Sequence, residues 1–594
     1  MPLTRALSSV LLLPTAHRVT PLTPQLLEPR LEPSVSPSPS SSPFADLVFT
    51  GGPVYTVDPA RSWATAVAVK DGRIAAVGHH RDVADLIGSG TEVVDLAGRL
   101  LLPGFQDAHV HPVLAGTTLS QCELHHLHTA DEFVGAVAEY AAAHPAAAWI
   151  TGGGWSMEAF PGGTPHKALL DAVVPDRPVV LPNRDGHGAW ANSRALELAG
   201  ITRDTPDPFD GRIERDADGE PTGMLQEGAM GLVTSLVPAL TTAEYADGLL
   251  AGQAYLHAMG ITAWQDAGVG AAFGPGDIFD TYLDASRSGQ LTARVAGALW
   301  WDREGGIEQL ALFRERRTLA AEVGGRFRAG TVKIMLDGVA ENHTAAMLDP
   351  YYDGCGCPTD NSGLTFVDPE LLKSYVTDLD AAGFQVHFHA LGDRAVREAL
   401  DAVEAARAAN GPGGRHHLAH LQVVHPDDIR RFRQLGATAN IQPLWAAHEV
   451  AMDELTIPFL GEQRSAWQYP FGSLLRAGAT IAAGSDWSVS SPDPMLGIHT
   501  AVNRVEPGLS AAEFAAAKVF YPEERLDLGS AIAAYTAGTA YVNQLDDVTG
   551  SVQAGKLADL VVLDRNPFDG PAHEIGETRV LRTYVEGRQV YAAE

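Results

Sequence analysis

The chain has 594 residues, 45% of them hydrophobic, and a formal net charge of -31. That length supports a large core in at least two structural units. The excess negative charge, with no basic cluster to offset it, excludes a phosphate-rich nucleic-acid partner, and no stretch reaches the roughly 18 uninterrupted apolar residues of a membrane span.

Residues 1–45 are rich in Pro and Ser beyond Pro21 and read as a disordered extension. Its apolar stretch from Ala6 to Ala16 follows Arg5 but is broken by Ser8, Ser9 and Pro14, a weak likeness to an export signal. A cytoplasmic location is therefore expected, with export as the alternative. Residues 46–100 then give short β-rich runs: Leu47 to Thr50, Ala66 to Val69 and Arg73 to Val77, the last two joined by Asp71-Gly72. The same pattern returns in residues 546–594, at Leu560 to Leu563 and Val580 to Val585. The two ends are expected to build one small β-sandwich.

Residues 101–545 alternate apolar runs with Ala-rich helical stretches, the signature of β/α units around a parallel sheet. The runs end near His111, Asp266, Trp300, Asp337, His389, His420, Gln442 and Asp486. Eight such strands predict an α/β fold with a closed, TIM-like (β/α)8 barrel, whose chemistry gathers at the C-terminal strand ends. Residues 113–255 are too long for one crossover and are expected to form an inserted α/β subdomain. Within it Pro178 to Leu181 predicts a strand and Ala189 to Leu198 a helix.

Polar residues close these apolar runs in a pattern that suits a metal. His109 and His111 are two residues apart on one strand, so both rings are expected on the same face. Asp486 ends the eighth strand, beside the first in a closed barrel, where it can contact the same ion and act as general base. His389 and His420, from strands five and six, would hold a second ion. Imidazoles and carboxylates suit zinc, with manganese or cobalt as alternatives, and two zinc ions are the expected cofactors. Lys333 stands between them in an apolar strand, where burial and nearby cations depress an amine pKa. Its amine is then able to capture carbon dioxide as a carbamate bridging the ions. Pairing with Asp337 or Glu341 is the competing role.

Other side chains compete for these places. His387 shares the inward parity of His389, and the later residue is preferred because it is nearer the strand end. Strand parity groups His416 with His420, leaving His417 on the other face and His425 beyond it, and His420 is preferred on the same ground. Asp266 reads as a structural hydrogen-bonding group. On the insert, Trp155, His187 and, after the last strand, Trp487 are candidate substrate contacts, while Asn192 reads equally as a helix cap. Cys122, Cys355 and Cys357 are too few for a disulfide framework and read as free thiols.

The order His109-x-His111, Lys333, His389, His420, Asp486 resembles the ligand order of the amidohydrolase superfamily. Longer segments resemble its YtcJ-like branch, amidohydrolase family 3: Gly152-Gly153-Gly154-Trp155, Asp185-Gly186-His187, Gly219-Glu220-Pro221-Thr222-Gly223, His389-Ala390-Leu391-Gly392-Asp393-Arg394, and Gly555-Lys556-Leu557-Ala558-Asp559. The resemblance runs from residue 46 to the end. It implies a barrel with a composite β-sandwich and a metal-dependent hydrolase. The chain departs from the branch at Ser156, where Asp is usual after the Trp, at Ala419, where an acidic residue is frequent, and at Trp487-Ser488, where a small residue and Pro are typical.

The expected reaction is hydrolysis of a C–N, amide-type bond of a small molecule by metal-activated hydroxide, with Asp486 as general base. A deaminase on a mononuclear site and a non-catalytic scaffold of the same fold are the alternatives. The partner is expected to be a small molecule, with neither nucleic acid nor membrane, and a homodimer is the assembly to test.

Overall fold

A computed structural model describes residues 42–271 and 276–593. The extension expected at residues 1–45 lies, up to residue 41, outside the described residues.

Eight parallel strands form the central sheet: β1 (Phe105–Val110), β2 (Ile261–Val269), β3 (Arg294–Trp300), β4 (Phe327–Met335), β5 (Gln385–Ala390), β6 (His417–His420), β7 (Thr438–Ile441) and β8 (Thr480–Ala483). They pair in chain order, as expected for a (β/α)8 barrel. Long helices follow several of them, such as Pro369–Ala381 before β5 and Asp393–Asn410 after it. Each buries one stripe, with Val396, Ala399, Leu400 and Val403 of the second facing the sheet.

The seam between β8 and β1 lies where the barrel closes, and the chain stitches it just beyond the strand ends. Asp486 N donates to His109 O at 2.8 Å and His111 N donates to Trp487 O at 3.0 Å. The Asp107 carboxylate accepts from His109 N, Ser485 N and Ser485 Oγ, the last at 2.6 Å. Gly484 is required at this crossing: a Cβ there would come within 2.6 Å of His109 N and 2.8 Å of Asp107 Oδ1. The two strands carrying the outermost site residues are thereby locked to one another.

Both ends of the chain contribute to one six-stranded sheet, made of Arg588–Ala592, Val580–Val585, Leu560–Leu563, Leu101–Pro103, Val54–Tyr55 and Trp63–Ala64. A four-stranded sheet of Arg73–Gly78, Ala66–Lys70, Leu47–Thr50 and Glu92–Asp95 shares an apolar core with it, where Phe49, Val67 and Ile74 meet Val562 and Tyr584. Asp71 and Gly72 both take positive φ, 48° and 74°, the two-residue turn that suits the right-handed twist of its hairpin. The Gly555 to Asp559 motif works at the barrel's base. Buried Asp559 pairs with Arg294 of β3, which also pairs with Glu586, while Arg326 reaches Glu586 at 2.8 Å.

The insert builds its own six-stranded sheet, from Cys122–Glu123 to Gly211–Arg215 and Pro221–Glu227. The helix expected at Ala189 to Leu198 begins later. Gly188–Ala191 is a strand, and Asn192 caps the helix Ser193–Ala199 by accepting from Ala195 N at 2.9 Å. Alternating apolar and small residues left the strand indistinguishable from a first helical turn. Trp155 is likewise corrected: it is fully buried in the insert's core against Phe160 and Trp190, with its indole donating to Leu181 O at 2.7 Å. It is its neighbour Ser156 that lines the cavity.

Candidate metal centre and active site

At the C-terminal end of the barrel, imidazoles from β1 and β6 converge on the Asp486 carboxylate. Oδ1 lies 3.1 Å from His111 Nε2 and 3.4 Å from His109 Nε2, and Oδ2 lies 3.8 Å from His420 Nδ1. One ligand atom each from His109, His420 and Asp486 falls within 4.8 Å of the others, and all three residues are buried. The His389 ring is 4.5 Å from that of His420, centroid to centroid.

His420 reaches this place by an unexpected route. Its φ is +78° and that of Leu421 is +52°, so the backbone turns left-handed as β6 ends and swings the ring into the barrel. Strand parity, which grouped it with His416, does not hold across that turn. His416 points outward instead, its Nε2 at 2.9 Å from Asp380 on the Pro369–Ala381 helix. His417 faces inward. Gln442 holds the strained turn by accepting from His420 N at 2.7 Å. His425 caps the helix Pro426–Leu435 and Asp266 bonds Tyr282 Oη and Gly268 N, so both serve structure.

Below the convergence runs a chain of hydrogen bonds whose proton positions can be assigned from its anchor. Gln385 Nε2 donates to the carbonyls of Arg415 and Val542, so its Oε1 is the acceptor for Gln265 Nε2. Gln265 Oε1 must then accept from His387 Nδ1 at 2.7 Å and from His417 Nε2 at 3.0 Å. His387 Nε2 is left as acceptor for His109 Nδ1, at 3.0 Å. The remaining nitrogen of His109, Nε2, therefore carries a bare lone pair toward the Asp486 carboxylate. His109 and His387 are held neutral, since burial first and neighbouring positive groups second drive their pKa values well below the usual range.

Two acceptors facing each other in a buried well repel unless a cation lies between them. His420 presses the same point: it is 2% exposed, neither ring nitrogen has a hydrogen-bond partner, and burial lowers its pKa to about 3. Leaving such a group unpaired costs about 1–3 kcal/mol. The donor set, neutral imidazoles around a carboxylate, fits a divalent metal ion of the zinc type. A ligating histidine is oriented through its far nitrogen, and His387 and Gln265 do this for His109.

Lys333, 2% exposed, lies level with Trp300, His387 and His417 across β3 to β6. Burial lowers its pKa to about 7, against the pull of Asp486. Its expected competitors are engaged elsewhere. Asp337 accepts from Ala346 N, Leu391 N and Gly392 N, and Glu341 accepts from Gln422 and Thr456.

A cavity of about 600 Å³ opens over these groups, lined by His389, His420 and Asp486 together with residues of the insert. His187 reaches it with its ring 5.1 Å from that of His389. Burial opposes a charge on His187, but Glu227, 2.9 Å from Nδ1, outweighs it and raises the pKa to about 9. Glu227 escaped sequence reasoning because it is 40 residues from its partner and ends a strand, Pro221–Glu227, with no motif at its C-terminal end. Trp487 stacks on Tyr255, centroids 4.8 Å apart, and both line the cavity.

The amidohydrolase family model Amidohydro_3 matches residues 92–591. The chain is 34% identical to Protein LONG AFTER FAR-RED 3 of Arabidopsis thaliana over 92% of each chain. It is 30% identical to YtcJ of Bacillus subtilis over 92% of this chain and 99% of that one. The N-substituted formamide deformylase of Arthrobacter pascens is 29% identical over 91% and 97%. The solved structure of an uncharacterized metal-dependent hydrolase from Pyrococcus horikoshii has the same fold, with a TM-score of 0.68 at 23% identity over 89% of this chain and 99% of that one. The chain belongs to the amidohydrolase family.

Proposed function

We propose that this protein is a metal-dependent hydrolase that cleaves a C–N bond of amide type in a small molecule. The observation that carries the proposal is the bare His109 Nε2 and the partnerless His420 ring, which converge with Asp486 in a buried well beneath the cavity.

His109, His111, His420 and Asp486, with His389 beside them, are the residues that would hold the metal. A bound divalent ion supplies Lewis acidity and water of lowered pKa, from about 15.7 to about 7. Asp486 is ionised, as a base must be. Burial raises its pKa, but His111, His420 and Lys333 more than reverse that and hold it below the ordinary carboxylate value. The carboxylate is thus able to take the proton of the attacking water and return it to the departing amine. The Lys333 amine, uncharged in part near neutral pH, is suited to carbamate formation, and as a carbamate it would supply a further anionic oxygen ligand for a metal of the zinc type. His187 and Trp487 flank the cavity and are assigned to substrate contact. The name of the Arthrobacter relative makes N-formyl amides the first compounds to try.

Elemental mass spectrometry on protein purified without chelator or nickel, with an intact-mass search for a labile carbamate and a screen of N-formyl and N-acyl amides, tests the proposal. Two equivalents of a zinc-type ion with amide hydrolysis are expected. One equivalent with ammonia release from an amidine or ring substrate would replace it with the deaminase reading. No metal and no turnover after incubation with zinc, manganese or cobalt would leave a scaffold.

A further inference from the structure

Near His420 the cavity wall carries three side chains with hydrogen-bond acceptors, Gln422, Glu341 and Glu449, among apolar ones such as Leu391, Leu444 and Trp445. Gln422, two residues beyond His420, is 1% exposed and lines the cavity. Its Nε2 donates to Glu341 Oε1 at 3.0 Å and lies 3.5 Å from Gln468 Oε1, so both neighbours of that nitrogen are acceptors and the amide orientation is fixed. Its Oε1 is left buried with no partner. Beside it, among the described residues, Glu341 accepts side-chain hydrogen bonds from two neutral donors, Gln422 Nε2 and Thr456 Oγ1. Glu449 also lines the cavity, and among the described residues no cation lies within ion-pair reach of it or of Glu341.

The cations that line the same cavity, His187 and Arg184, are already committed. His187 pairs with Glu227 at 2.9 Å. Arg184 donates to the carbonyls of His125 and Leu127, at 3.0 and 3.4 Å, and approaches Glu158 at 4.0 Å. Glu449 is exposed at the cavity rim, where it faces solvent as well as the cavity, and Glu341 is half-buried. Buried Tyr469 faces the same two carboxylates, Glu341 and Glu449, which together with its burial raise its phenol pKa. An orphaned amide oxygen, two carboxylates without cations and an aromatic face form a complement to a cationic N–H donor.

We propose that Gln422, Glu341 and Glu449 form a subsite for an ammonium group, so that the substrate is an amide whose variable portion carries a protonated amine. This rests on the hydrolase reading for the amide and on the wall alone for the ammonium. An anionic amide is disfavoured by the same carboxylates, and a neutral one leaves Gln422 Oε1 unpaired.

The test uses the full metal-loaded protein and two readouts. Binding is followed by quenching of tryptophan fluorescence, Trp445 and Trp487 being cavity residues, with pentylammonium, 1-pentanol and pentanoate as probes. Hydrolysis is followed on N-formyl-1,5-diaminopentane, N-pentylformamide and 5-formamidopentanoate. Pentylammonium is expected to bind at least about tenfold more tightly than pentanol, and kcat/KM is expected to fall in the order cationic, neutral, anionic. Glu449→Gln should narrow both ratios by several-fold, and because the wild-type comparison stands alone, misfolding of a variant would not rescue the idea. Equal binding of the three probes, or preference for pentanoate, overturns the subsite while any amide hydrolysis leaves the hydrolase standing. Selective pentylammonium binding without turnover of any amide sinks the hydrolase and leaves the subsite.

Discussion

Two layers of histidine lie one above the other in the same barrel, and they differ in a single respect. In the lower layer, His387 and His417 are fully buried and each ring nitrogen has a partner: Gln265 and His109 for the first, Gln265 and Asn440 for the second. In the upper layer, His420 is as deeply buried and has none. Burial and residue type are the same, so neither identifies function. Satisfaction does: the lower layer is complete as folded, whereas the upper one is complete only when something binds.

Asp486→Asn cuts deepest into the upper layer. Loss of the proton acceptor is expected to reduce turnover about 100- to 10,000-fold while the protein still binds metal, read as kcat against metal content. Turnover near wild type would remove Asp486 from its role as base.

A pair of matched replacements sharpens the comparison itself. His420→Leu removes a group that is unpaired in the apoprotein, so apoprotein stability should hold or rise while metal content falls. His417→Leu strips Gln265 and Asn440 of a partner and should cost about 1–3 kcal/mol in denaturant unfolding whether or not metal is present. If both variants lose stability equally in the apoprotein, the distinction between the layers is wrong. His387→Ala falls between them: the orientation of His109 is lost, and metal affinity should weaken about 10- to 100-fold by titration.

How much of this was legible from the residues depends on what backbone geometry leaves in a sequence. The barrel was legible because apolar runs alternating with helices leave a strong periodic trace, and the ends of those runs named the strands that carry the site. Parity put His109 on one face and placed His387 and His389 together, but it had no means of separating them. The separation comes from Gln265, more than 100 residues away, which takes His387 into the lower layer. Parity failed for His420 because a positive φ at a non-glycine residue leaves no signal. Trp155 was misread because a Gly-Trp motif marks a constrained turn without saying which of its residues faces the cavity. One trace was there to be used: Gln265 and Gln385 are uncharged polar residues inside strands of otherwise buried residues, where each demands a partner.

The smallest expected effect tests a satisfied histidine away from the centre. His257, at the end of the helix Thr242–Ala258, donates from Nδ1 to Ile261 O at 2.9 Å, and its Nε2 accepts from Thr292 Oγ1 at 2.7 Å. Both bonds belong to the neutral ring, and burial lowers its pKa to about 4. The unfolded chain takes up a proton near pH 6.5 and the folded one does not until near 4, so its contribution is whole above pH 6.5 and is lost as pH falls toward 4. A shift of that size corresponds to about 3 kcal/mol at most. Urea unfolding at about pH 7, 5.5 and 4.5 should therefore show a steeper decline for the native protein than for His257→Gln, which retains hydrogen-bonding groups but cannot titrate. Equal slopes would mean that the neutral form is not what the fold selects at this position. The same reasoning would then lose its footing for the lower layer, where burial lowers the pKa values of His387 and His417 in the same direction.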